Sequence, residues 1–110
     1  MSNKLLIFDA YQQTMEQLKP NTLFTVKTEV GQVCLVKTDQ GLRFFKDACP
    51  HLGVPLTQSG VCNNLGEVVC KEHGHRYSMR NGQECEGRRE RLLFIPFEIE
   101  NDRLFLLVVD

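Results

Sequence analysis

Residues 49–56 read Cys49-Pro50-His51-Leu52-Gly53-Val54-Pro55-Leu56, and residues 70–76 read Cys70-Lys71-Glu72-His73-Gly74-His75-Arg76. Each stretch offers a thiol followed by an imidazole, once as Cys-x-His and once as Cys-x-x-His. The eighteen residues between His51 and Cys70 place the two pairs in separate loops. Two Cys and two His can close a tetrahedral zinc site. The same donors can hold a 2Fe–2S cluster, with both cysteines on one iron and both histidines on the other. Gly53 and Gly74 give the backbone room to turn beside a bulky inorganic group, and Pro50 and Pro55 stiffen the first loop.

The two loops, followed by the aromatic Tyr77, resemble the cluster-binding loops of Rieske-type ferredoxins. The resemblance is specific in Cys49-Pro-His-Leu-Gly and Cys70-Lys-Glu-His-Gly and extends in general pattern over roughly residues 20–109. It implies Cys49, His51, Cys70 and His73 as the ligands of a Rieske 2Fe–2S cluster, with His75 as a neighbouring loop residue. It also implies an all-β, mainly antiparallel fold: a Rieske-like sandwich or barrel base with a smaller cluster-binding lobe inserted at about residues 47–80. The respiratory-complex branch of the family bridges its loops by a disulfide. Val54 and Glu72 stand at the matching positions here, so the resemblance is to the soluble, low-potential carriers without that bridge.

The implied function is one-electron transport without catalysis, between a flavin-containing reductase upstream and a terminal oxygenase or similar enzyme downstream. A small subunit of a larger reductase, such as the nitrite-reducing kind, is the nearest alternative. A zinc-stabilised structural domain using the same four ligands is a third.

The rest of the chain is consistent with a carrier. Its 110 residues suit one domain and leave no room for a separate catalytic one. A net charge of −1 with 25% charged residues gives no reason to expect nucleic acid or an anionic membrane as partner. The longest apolar run, Leu104 to Val109, falls far short of a membrane span. The apolar stretch near the start is too short for a signal peptide, so a cytoplasmic location is expected, where five cysteines point to metal before disulfides.

Residues 4–8 read as a strand, and Asp9 with Gln12 as a capping pair for a short helix ending before Pro20. Strand-like runs follow at 23–27, 33–37 and 42–46, turning at Glu29-Val30-Gly31 and Asp39-Gln40-Gly41. A strand at 67–69 enters Cys70, and another at 76–79 ends at the hairpin signal Asn81-Gly82. Segments 92–100 and 103–108 form a last hairpin across Asn101-Asp102, with Pro96 at an edge or bulge. Cys34 reads as a small buried hydrophobe. Cys62 and Cys85 lie in polar loops. Arg88-Arg89-Glu90-Arg91 is the one basic cluster, solvated by default and otherwise a docking patch for an acidic partner.

Overall fold

The computed structural model describes residues 2–39, 41–51 and 53–109, so Gln40 and Leu52 of the motifs above lie outside the described residues. Among the described residues nine strands and two helices run in the order β1 (Ser2–Phe8), α1 (Tyr11–Gln17), β2 (Phe24–Thr28), β3 (Gly31–Thr38), β4 (Gly41–Lys46), α2 (Leu56–Ser59), β5 (Gly60–Cys62), β6 (Glu67–Cys70), β7 (His75–Ser78), β8 (Phe97–Glu100) and β9 (Arg103–Val109). Every strand pairing is antiparallel, and the strands form three sheets of three. The chain divides into two compact units, residues 20–94 and the paired segments 1–19 with 95–110.

In the unit of residues 1–19 and 95–110 the sheet order is β1-β9-β8. Asn101 and Asp102 both take positive φ (52° and 61°), which gives the β8–β9 turn the twist that two-residue hairpins prefer. Helix α1 is not capped by Asp9 as the sequence suggested; its N-cap is Ala10, which makes no side-chain bond. The partner is Asp102 of the hairpin turn, whose backbone oxygen accepts the Tyr11 N–H at 2.7 Å and whose Oδ1 accepts the Gln12 N–H at 2.9 Å. Pro96 precedes β8, which is an edge strand, so the expected long strand from Leu92 begins only at Phe97.

In the unit of residues 20–94 the sheets are β2-β3-β4 and β5-β6-β7. Strand β3 buries Val33, Cys34, Leu35 and Val36 in succession, so both its faces are covered. The second sheet lies between β4 and Phe94 in the sequence, and Phe94 returns to bridge Phe45 of β4. That is the expected insertion, bounded by neighbouring backbone. A continuous core joins Cys34, Val36 and Phe45 of the first sheet to Leu56, Val68, Tyr77 and Met79 around the second. Each large apolar side chain so buried contributes roughly 1.5–3 kcal/mol.

Strand periodicity then sets the site. In β6 and β7 alternate residues are buried, Val68 and Cys70 on one strand, His75 and Tyr77 on the other. The register pairs Cys70 with His75 and Val68 with Tyr77, so all four share one face. Strand β5 extends the rows, placing Gly60 beside Cys70 and Cys62 beside Val68. Both β5 and α2 were absent from the sequence reading.

Candidate metal centre

The two candidate ligand loops repeat one backbone device. The carbonyl of Cys49 accepts the N–H of Gly53 at 2.7 Å, and that of Cys70 accepts the N–H of Gly74 at 2.8 Å. Gly53 and Gly74 sit at φ +77° and +74°, where a side chain is strained, and a Cβ at either would meet no atom within 4 Å. In the first turn the imidazole comes two residues after the thiol; in the second, three.

The donors gather as two like pairs. Cys49 and Cys70 are buried, at 2% and 1% exposure, and their thiols lie side by side. Burial pushes the Cys70 thiol up; the Glu72 N–H opposes this in part, and the adjacent Cys49 adds to the rise. His51 and His73 meet edge to face with ring centroids 5.1 Å apart. A single tetrahedral ion, with bonds of about 2.0–2.3 Å, needs its donors within roughly 4 Å of one another. Among the described residues the only group of three metal-capable side chains within 4.8 Å is a different one, His51, His75 and Glu90. Two thiols together and two imidazoles together fit a two-metal group better than one ion.

His75 is not a loop residue. It lies in β7, is 9% exposed, and stacks on His51 at 4.1 Å between centroids and 23° between planes. Its Nδ1 lies 3.2 Å from Glu90 Oε1, yet no hydrogen bond reaches that buried nitrogen. Glu90 arrives beside the Gln83–Arg91 bridge, a pairing across eight residues with no turn signal in the sequence to announce it. Tyr77, fully buried, sends its hydroxyl to the first loop, 4.0 Å from Cys49 Sγ. Burial and the nearby Cys49 push the Tyr77 hydroxyl well above the usual phenol range.

The spare cysteines are separate from the site. Cys34 is fully buried and its thiol is raised strongly by burial, as expected for a packing residue. Cys62 belongs to β5, and exposed Cys85 donates to Glu67 Oε2 at 3.3 Å, burial and that carboxylate pushing it up to about 11. All five cysteines are free. The basic cluster is partly neutralised, because Arg88 pairs with Glu84 and Glu86, while Arg91 keeps its charge and donates to the Asn81 carbonyl.

A family model described as Rieske [2Fe-2S] domain matches residues 10–92. The ferredoxin component of the alkene monooxygenase system of Xanthobacter autotrophicus is 28% identical over 80 residues, 71% of this chain. The chain spans 65% of that protein's length. Among solved structures, the ferredoxin of carbazole 1,9a-dioxygenase from Nocardioides aromaticivorans superposes with a TM-score of 0.72 at 16% identity, covering 94% of this chain and 96% of that one. A Mycobacterium tuberculosis structure assigned as an NADH-dependent nitrite reductase small subunit gives 0.71 at 18% identity, covering 100% and 96%.

Proposed function

The chain belongs to the Rieske [2Fe-2S] domain family, and we propose that Cys49, His51, Cys70 and His73 hold its cluster. When bound, a Rieske cluster takes up and releases one electron at a time. The protein is an electron carrier and not itself an enzyme. The observation that supports the ligand set is a buried thiol pair with His51 and His73 beside one another, and the Cys-x-x-His spacing, not ring distance, favours His73 over the closer-stacked His75. That arrangement also argues against the zinc reading, which needs all four around one ion.

The residues divide the remaining work. Buried Cys49 and Cys70 would hold the cluster from the core side, and His51, which is exposed, would hold it from the solvent side. Tyr77 offers a hydroxyl to the Cys49 sulfur. We take residues 1–110 as one working domain with its cluster lobe at about 47–80, a reading supported by a family match that runs from α1 through Leu92.

As partners we propose a flavin-containing reductase upstream and a terminal oxygenase downstream, on the strength of the relative named as a monooxygenase ferredoxin component. The likeness to a nitrite reductase small subunit, spanning the whole chain, supports the second reading of a subunit within a larger reductase. No helix among the described residues is long and apolar enough to cross a membrane. Five free cysteines favour the reducing cytoplasm.

The test is direct. Purified protein should contain iron and acid-labile sulfide in equal amounts and give a Rieske-type paramagnetic resonance spectrum when reduced. A colourless protein holding zinc alone would refute the cluster. Stable co-purification with a large reductase would favour the subunit reading over the free carrier.

A further inference from the structure

The two ligand pairs are held by unequal means. Cys70 ends β6 in register with His75 of β7 on one side and Gly60 of β5 on the other, so strand ladders flank it. The first loop leaves β4 at Lys46 and reaches α2 at Leu56 with no strand among the described residues between them. No disulfide closes it, since every cysteine is free.

What closes it is Asp47. Its Oδ1 accepts the Thr57 backbone N–H at 3.0 Å, and its Oδ2 accepts the Thr57 hydroxyl at 2.7 Å and the Gln32 Nε2 at 2.7 Å. Its own N–H donates to the Gln32 carbonyl at 3.3 Å. One side chain thus ties the start of β3, the entry to the loop and the first turn of α2, and the span it closes contains Cys49 and His51. Within that span the Cys49 N–H donates to the Val54 carbonyl at 2.7 Å, so the closed loop is also braced internally.

Asp47 is 7% exposed, and its three side-chain partners are neutral donors. Among the described residues no cation comes within ion-pair distance of it. An ionised carboxylate only accepts, and every hydrogen bond here asks it to accept. A buried negative charge two residues before a ligand opposes the arrival of an electron, because low dielectric leaves it poorly screened.

We propose that Asp47 is a positioning residue for the first ligand pair, its carboxylate closing the loop that carries Cys49 and His51 while its unpaired charge lowers the reduction potential. The inference rests on the cluster reading above.

The experiment compares full-length loaded wild type with Asp47→Ala, Asp47→Asn and Thr57→Val, reading cluster loss to a chelator and midpoint potential. Asp47→Ala should lose its cluster about 10-fold faster, the low end of the 10–100-fold affinity cost of losing a direct partner of a metal ligand, since Asp47 acts on the loop and not on a ligand side chain. Asp47→Asn keeps an acceptor for the Thr57 N–H, so it should regain most of the retention while its potential moves upward. Thr57→Val removes one bond and no charge, so it should lose cluster faster than wild type at an unchanged potential. It also keeps the test valid if Asp47→Ala does not fold. Wild-type retention in both Asp47→Ala and Thr57→Val, or a wild-type potential in Asp47→Asn, would overturn the proposal. A wild-type protein without iron and sulfide would instead overturn the cluster reading itself.

Discussion

Tyr77 shows how one residue joins packing to redox chemistry. Its ring is fully buried opposite Val68, and its hydroxyl lies 4.0 Å from Cys49 Sγ. With Cys49 a thiolate, only the hydroxyl can donate, and a hydrogen bond to a cluster sulfur stabilises the more negative reduced state. Tyr77→Phe should therefore keep the fold and lower the midpoint potential, which protein-film voltammetry would measure; an unchanged potential would remove Tyr77 from the tuning set. The proposed ligands are tested by substitution. Cys49→Ala, His51→Ala, Cys70→Ala and His73→Ala should each abolish the native visible and resonance spectra, whereas His75→Ala should retain a cluster. A native spectrum in His73→Ala together with its loss in His75→Ala would exchange the two imidazoles. The Cys/His spacing made the two pairs and their glycines legible, because ligand order and turn conformation are local properties. His75 and Glu90 were not legible. A β6–β7 register buries the first, and a bridge to Gln83 brings in the second.

At the scale of elements, the loop of residues 84–88 is organised by a carboxylate where the sequence showed only scattered charge. Glu84 has its side chain withdrawn from solvent and accepts the N–H of Glu86 at 2.8 Å and of Arg88 at 3.0 Å, with the Arg88 guanidinium at 2.9 Å. Burial alone would push its carboxyl up, but those two amides and Arg88 outweigh it and hold the carboxyl below the usual range. A carboxyl depressed on folding stabilises the native state above its unfolded value near 4.5, and that stability drains away as pH falls through the lower native value. Urea midpoints measured down the acid range should therefore fall more steeply in wild type than in Glu84→Gln, whose neutral amide has no such linkage. Parallel acid profiles would sink this account. Most strands were legible from alternation and turn residues, and the β8–β9 turn follows Asn101-Asp102 closely. The short α2 and β5 were not, since their order depends on Asp47 and on β6 rather than on propensity. The Asn81-Gly82 signal does mark a reversal, but Gly82 alone takes positive φ and the loop is closed by Ser78 and Gln83, wider than a two-residue turn.

For the molecule as a whole, three carboxylates gather at the site, with Lys46, Lys71 and Arg91 also close by. Asp47 is buried near the first pair, Glu90 lies against His75, and Glu72 sits within the second loop. With no disulfide among the five cysteines, the midpoint potential should fall near the lower end of the Rieske range, about −150 mV. A measured value above about +100 mV, in the upper part of that range, would contradict it. The division into units carries a further consequence for biogenesis. Synthesis proceeds from the amino end, and every partner of the metal loops described above lies between Gln32 and Arg91. Strand β1 must wait for β9, which is made after the other described elements, and α1 waits with it for the Asp102 oxygens that cap it. On the ribosome, then, the segment destined to receive iron and sulfide has its own contacts to hand before the terminal strands can close, so cofactor delivery need not wait for the finished polypeptide.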